Sequence, residues 1–318
     1  MIDKAKRAKF MPSAPMQLLL FLCVFGICNL PASIPPYLYS VFRVLTERAD
    51  LFMSAAIDME VLLAEIEEIM SSPGYLLVSL FSTVFVLAGV LFYVRKVERR
   101  GYDSMGIVRH GTVRNYLLGL AVGLVMFTSV ILICYLTGAA TFDGFDPSAS
   151  IGMIVLFFFG YLIQGAEEEV LMRGYLLTGL GTRMPVYAAI IANSVIFAGL
   201  HMGNNGFGIL PIANLILFGL FVSLYFLRTE NLMGVCAIHS VWNFAQGNLF
   251  GCSVSGMAKV DSIFQSSMND AKTLINGGEF GPEGGLAVSI VLVAAILLVL
   301  LIPERSKRTE SSSGAEGE

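Results

Sequence analysis

Glu167, Glu168 and Glu169 stand consecutively in an apolar stretch, in the run Gln164-Gly-Ala-Glu-Glu-Glu-Val-Leu-Met-Arg173. The segment before them, Ile151 to Ile163, carries no charge. A carboxylate in a membrane-spanning segment is costly. Where one occurs it faces an interior cavity and marks chemistry or transport. Two of the three histidines, His201 and His239, also fall in apolar segments. Glu169 and Arg173 are four residues apart, so on a helix they share a face and can pair. Glu168 is turned by about 100° from Glu169, which leaves it a free carboxylate for proton transfer. Glu167 is expected on the face of Gln164, pointing away from Glu168. Phe197 and His201 are one helical turn apart, as are His239 and Asn243, so each pair presents two side chains on one face.

These groups match the needs of amide hydrolysis. That reaction requires a base for water, donors for a developing oxyanion and a proton for the leaving amine. Glu168, His201, His239 and Asn243 can divide those roles. No serine or cysteine has an evident base partner in the sequence. Depth along the helices can be compared at 1.5 Å per residue. Glu168 lies about 22 Å before the turn at Arg183, and His201 about 24 Å after Pro185. The two can meet across an antiparallel hairpin. His239 is only about eight residues past the turn near Asn231, at 1.5 Å each, and needs a tilt to join them.

The elements that must hold these groups are membrane helices. The chain of 318 residues is 56% hydrophobic and only 14% charged, with a mean hydropathy of +0.75. A soluble domain cannot hide that much apolar surface. The expected fold is all-α, a polytopic bundle of about eight transmembrane helices with an intramembrane catalytic cavity. The spans are read at 15–34, 75–94, 115–137, 150–175, 186–203, 209–227, 232–250 and 285–302, each near the 20 apolar residues a crossing needs. Lys4, Lys6, Arg7 and Lys9 before the first short apolar core resemble a signal peptide, but apolar residues continue through Tyr39, and the segment is read as a retained span.

Lysine and arginine orient the bundle. Loop 95–114 has six basic residues against two acids, and loop 35–74 has two arginines against seven acids. Both termini are therefore expected in the cytoplasm, with 15 of the 20 basic residues on that side. Segment 42–70 reads as an outer amphipathic helix, and Thr309 to Glu318 as a disordered tail. The chain divides into N-terminal helices with the outer segment (1–149), a catalytic core (150–250), and an outer loop, last span and tail (251–318). The five cysteines show no CxxC or repeated spacing and read as small apolar residues. Asn193 and Asn214 read as interhelical hydrogen bonders, Trp242 as packing and His110 as solvated. No basic patch suggests nucleic acid.

The three motifs resemble those of the CAAX protease and bacteriocin-processing (Abi) family, which includes the type II CAAX prenyl endopeptidases. The family pattern is EExxxR, then FxxxH, then HxxxN. Glu168-Glu169-Val-Leu-Met-Arg173, Phe197 to His201 and His239 to Asn243 fit it in order, and Arg173-Gly-Tyr-Leu-Leu is the usual continuation. The likeness spans about residues 160–250. It implies an intramembrane glutamate protease with a cavity open to the cytoplasmic leaflet. Glu168 would activate water with Glu169, Arg173 and Phe197 in support, His201 would assist the water, and His239 with Asn243 would hold the oxyanion. Glu167 departs from the pattern as an additional acid. The implied partners are the lipid bilayer and a membrane-associated peptide or protein substrate, prenylated or not.

Two other classes compete. Membrane Glu and His chains also build proton relays, so a proton- or ion-coupled transporter is an alternative, although no inverted repeat is present. A non-catalytic peptide-binding immunity or scaffold protein is another. For cofactors the reading is none. Zinc is the weaker option, because no HExxH or comparably tight ligand spacing occurs.

Overall fold

The computed structural model describes residues 1–47 and 59–302. The expected all-helical architecture is what forms. Nine helices organise it: α1 (Ala14–Glu47), α2 (Met59–Ser71), α3 (Pro73–Lys96), α4 (Thr112–Leu136), α5 (Ile151–Leu180), α6 (Val186–Gly199), α7 (Ile209–Thr229), α8 (Leu232–Phe244) and α9 (Leu286–Leu300). Their starts are written in the sequence. Ser72 caps α3 by accepting from the Tyr75 N–H, with Pro73 as the first helical residue. Ser150 does the same for α5 through Met153 N–H, and Asn231 for α8 through Met233 N–H. Such oxygens satisfy amide donors that have no partner inside the helix.

Eight apolar helices run between two ends of the bundle. At one end the N-terminal amine meets Glu230 at 3.3 Å, Lys4 meets Asp103 at 3.1 Å, and Arg100 donates to Thr178 Oγ1 at 2.8 Å. Arg228, closing α7, donates to the Ile302 carbonyl just past α9. At the other end, the loops after α4, α6 and α8 come together. There Asn204 donates to the Ser255 carbonyl at 2.8 Å, and the Ser150 N–H to Asp261 at 3.2 Å. The chain therefore alternates between ends with each helix, as a polytopic membrane protein must.

Several boundaries differ from expectation. Among the described residues five helices are long and apolar enough to cross a membrane: α1, α3, α4, α5 and α7. α6 and α9 are shorter apolar helices, and α8 runs 13 residues before a π-helical turn, Ala245–Leu249. α6 stops at Gly199, short of residue 203, where a run of turns follows. α6 and α9 each keep an exposed apolar face, with Tyr187, Ile191 and Val195 on one and Ile290, Leu297 and Leu298 on the other. α8 alone is enclosed by its neighbours, buried from Gly234 to Asn243, so lipid-matching length is not required of it. α1 is longer than its expected span and passes through Pro31, Pro35 and Pro36, residues that spanning helices tolerate. A two-stranded antiparallel sheet pairs β1 (Ala140–Phe145) with β2 (Phe264–Met268), an element absent from the sequence reading. The amphipathic segment is helical at Met59–Ser71, with Ile69 buried. Residues 48–58 and the tail 309–318 lie outside the described residues. All five cysteines are unbridged.

Glycines let α8 sit at the centre. A Cβ on Gly119 of α4 would lie 3.1 Å from the Gly234 carbonyl carbon, and one on Gly123 would lie 3.1 Å from Ile238 Cα. On the opposite side, a Cβ on Gly165 of α5 would fall 2.8 Å from the Ser240 nitrogen and 3.0 Å from its Cα. Small residues at these crossings allow the backbones to touch, which is how membrane helices gain packing without a hydrophobic driving force. Gly165→Ala should force α5 and α8 apart and destabilise the protein by about 1–3 kcal/mol, the usual range for overpacking. Thermal unfolding in detergent measures this; an unchanged midpoint would show that the contact is not tight.

Candidate active site

All three acids come from the turn of α5 where α-helix gives way to π-helix, Val170–Leu177. A π-turn inserts extra backbone per turn and recurs at functional sites. Asn193 of α6 supports it by donating to the Met172 carbonyl at 2.8 Å, the interhelical role read from the sequence.

The acids divide into different environments. Glu169 is completely buried and accepts from Arg173 Nη1 at 3.0 Å, and Arg173 is equally buried. Arg173 also donates to the Gly219 carbonyl of α7 at 3.4 Å, and its guanidinium carbon lies 4.7 Å from the Phe197 ring centroid. The same Glu169 oxygen, Oε1, lies 2.8 Å from His239 Nδ1. A carboxylate can only accept, so Nδ1 carries the proton of that bond and the other ring nitrogen, Nε2, is turned elsewhere. Nε2 stands 3.8 Å from Glu168 Oε2. His239 thus bridges the two acids, despite its shallow position in the sequence count. The close approach of α8 to α5 at Gly165 brings it there.

Glu168 is held from behind. Its Oε1 accepts from Gln164 Nε2, and Gln164 Oε1 accepts from Asn243 Nδ2 at 3.0 Å. Gln164 therefore belongs with Glu168 and not with Glu167. The four-residue spacing carried that signal, since i and i+4 share a face. Glu168 is accordingly not free of partners, although its Oε2 is buried without a hydrogen bond. Asn243 spends one amide hydrogen on Gln164 and keeps a second.

Glu167 does not point away. It lines the same cavity as Glu168, is buried, and among the described residues makes no hydrogen bond or ion pair. His201, in the turn after α6, places Nδ1 2.9 Å from the Phe197 carbonyl, which leaves Nε2 available to the cavity. Phe197 is buried between the histidine rings, with centroids 4.8 Å from His201 and 6.1 Å from His239. Phe218 of α7, unmarked in the sequence reading, packs edge-on against His239 at 5.1 Å. Trp242 is a buried packing residue whose Nε1 donates to Glu283 at 3.1 Å.

The cavity has a volume of about 250 Å³. Glu167, Glu168, His201, His239 and Asn243 all line it. Phe25 and Asn29 of α1 and Thr83 and Val86 of α3 supply the facing wall. The N-terminal helices thus take part in the site, which their sequence did not indicate.

These groups lie on the part of the chain that matches a family model. Residues 150–245 match the family model of type II CAAX prenyl endopeptidases, Rce1-like. The match takes in all three motifs and excludes the first 149 residues. No curated protein matches the chain. The family supports, in general terms, a CAAX-type intramembrane endopeptidase acting on a membrane-associated protein. With its apolar helices, the chain is an integral membrane protein.

The buried pair gives a test of the scaffold that is independent of activity. Arg173→Met strands Glu169 in the core and should cost about 3–5 kcal/mol, whereas removing both charges with Glu169→Leu and Arg173→Met should recover much of that loss. Thermal unfolding of the two variants decides it; a double variant no more stable than the single one would mean that the pair is not the stabilising unit.

Proposed function

We propose that the protein hydrolyses a peptide bond of a membrane-associated or lipidated substrate with a water activated by Glu168. The observation that carries this reading is the bridge from Glu168 through His239 to the buried Glu169–Arg173 pair. It gives one carboxylate a cavity-facing oxygen and fixes the imidazole beside it.

In the reaction, water in the cavity attacks the scissile carbonyl carbon as its proton passes to Glu168. His201 Nε2 helps orient that water. The carbonyl oxygen becomes an oxyanion and accepts hydrogen bonds from His239 Nε2, when protonated, and from the second amide hydrogen of Asn243. Glu168 then delivers its proton to the leaving nitrogen as the C–N bond breaks. Gln164 positions Glu168, and Phe197 holds both histidines. Lysine and arginine distribution supports cytoplasmic placement of both termini.

Glu168→Gln keeps size and hydrogen bonding but removes basicity. It should lower turnover by roughly 10²–10⁴-fold, the range for a lost general base, with folding intact. Glu167→Gln should be milder, because that acid has no link to His239. Glu169→Gln should act largely through stability. Cleavage rate and thermal stability of the three variants are compared on purified protein with membrane peptides. Near-normal cleavage by Glu168→Gln, or loss confined to Glu167→Gln, assigns the base to another carboxylate.

The same geometry supports chemistry without a transition metal. No group of three His, Cys, Asp or Glu side chains gathers as a metal site among the described residues. Catalytic zinc takes three protein ligands, and this donor set does not fit one. Activity should persist in chelator. Stoichiometric zinc in active protein, with chelator loss restored by zinc, overturns this.

A further inference from the structure

We propose that Glu283, three residues before α9 and outside the stretch that matches the family model, is a positioning residue of the active site. Its carboxylate fixes both the catalytic face of α8 and the loop that walls the cavity at Ser255. Its role in turnover rests on the proteolytic reading above; the placement itself does not.

The side chain of Glu283 accepts three hydrogen bonds. Oε1 takes the Trp242 Nε1–H at 3.1 Å, and Oε2 takes both the backbone N–H of Ser255 at 2.8 Å and its hydroxyl at 2.6 Å. Each arm leads to the site. Trp242 lies on α8 between His239 and Asn243. Its ring meets Phe127 of α4 edge-on at 5.4 Å and Phe218 of α7 at 5.7 Å, and Phe218 packs on His239 at 5.1 Å. The carboxylate sets the direction of the indole, and through it the ring that backs the imidazole. Glu283, Ser255, His201 and His239 border one small void of about 20 Å³.

The second arm holds a strained residue. Ser255 has a φ of 48°, in the left-handed region that a residue with a Cβ rarely adopts. Both of its donors go to Glu283, and its carbonyl accepts from Asn204 Nδ2 at 2.8 Å. Asn204 in turn donates its backbone N–H to the His201 carbonyl at 3.1 Å. Ser255, Asn204 and His201 all line the catalytic cavity. Strain of this kind persists only where the surroundings over-determine it, and it gathers at functional sites. Relaxation of Ser255 would move the wall beside His201.

The backbone of Glu283 is anchored separately. Its carbonyl accepts from Asn214 Nδ2 at 2.7 Å, the Gly285 carbonyl accepts from the same amide at 2.9 Å, and Ser289 Oγ donates to Asn214 Oδ1 at 2.6 Å. The Gly256 N–H donates to the Phe280 carbonyl at 2.9 Å. None of these bonds uses the carboxylate. A change confined to the carboxylate should leave the loop in place and disturb only what it aims. His239 Nε2 and Asn243 are the donors assigned to the oxyanion, and such donors act by being set in place before the reaction. Their displacement costs rate more than binding.

The test uses the purified full chain in liposomes with membrane peptides. Glu283→Gln keeps the shape but leaves one oxygen where two accept. It should lower kcat by roughly 10–10²-fold, the scale of a misplacement near 1 Å. KM should be nearly unchanged, the mark of an interaction made only in the transition state. Trp242 is the chain's single tryptophan, so its emission reports the contact without any turnover. Loss of the negative charge at Nε1 should move that emission to shorter wavelength. Adding Ser255→Gly to Glu283→Gln should recover a large part of kcat, because glycine takes the left-handed φ unaided. A purely structural role predicts the reverse, since glycine would loosen the loop further. Normal kcat in Glu283→Gln, or a loss that Ser255→Gly does not relieve, overturns the inference. If Glu283→Gln does not fold, Trp242→Phe replaces it, keeping a ring and deleting the donor; it should lower kcat with KM held, and normal kcat overturns the inference. Absence of wild-type cleavage that Glu168→Gln abolishes refutes the proteolytic reading and the catalytic part with it. The emission of Glu283→Gln then still decides the placement of Trp242, and an unchanged spectrum refutes that too.

Discussion

The carboxylate of Glu169 is the point on which the site depends. It lies in the dry interior of the bundle, where an unpaired charge would cost several kcal/mol even after the surroundings relax, of the order of 3–5 kcal/mol when one partner is removed. Arg173 answers it one turn later, and His239 closes on the same oxygen from α8. Satisfying Arg173 in turn recruits the Gly219 carbonyl of α7 and the Phe197 ring of α6. One buried charge thus fixes the relative positions of four helices. Because His239 is oriented by Glu169, its other nitrogen is aimed at Glu168.

Backbone shape makes that convergence possible. The π-helical turn begins directly after Glu169 and carries Arg173. Gly165 removes the side chain that would hold α8 away, and Gly119 and Gly123 do the same on its far side. A Cβ on Gly219 would lie 2.9 Å from Ser194 Cα, so the carbonyl that receives Arg173 is itself delivered by a close crossing. The polar chain from Asn243 through Gln164 to Glu168 then needs only side chains already facing one another.

The two ends of the bundle are tied by different contacts. Toward the basic end, aromatic and aliphatic packing surrounds the buried Glu98–Arg100 pair. Toward the other end, the β1–β2 sheet and the Asn204–Ser255 hydrogen bond tie the loops together. Exposed apolar residues such as Ile27, Leu30 and Leu38 cover the outside of α1, while Phe25 and Asn29 on the same helix line the cavity. α1 is both lipid-facing surface and wall of the site.

The sequence by itself determined the helical class, the order of the spans, their charge asymmetry and the motif residues Glu168, Glu169, Arg173, Phe197, His201, His239 and Asn243. Those features are local: hydropathy and helical periodicity act over one or two turns, and the Glu169–Arg173 pair lies within one. Tertiary structure decided what depends on how separate helices approach. It paired Gln164 with Glu168 and Asn243, turned Glu167 into the cavity, and lifted His239 to the depth of the acids. It also brought α1 and α3 to the cavity and joined two distant loops as a sheet. None of these follows from spacing along the chain, because each is set by a glycine-mediated helix crossing, a change of helical pitch or a contact between residues far apart in sequence.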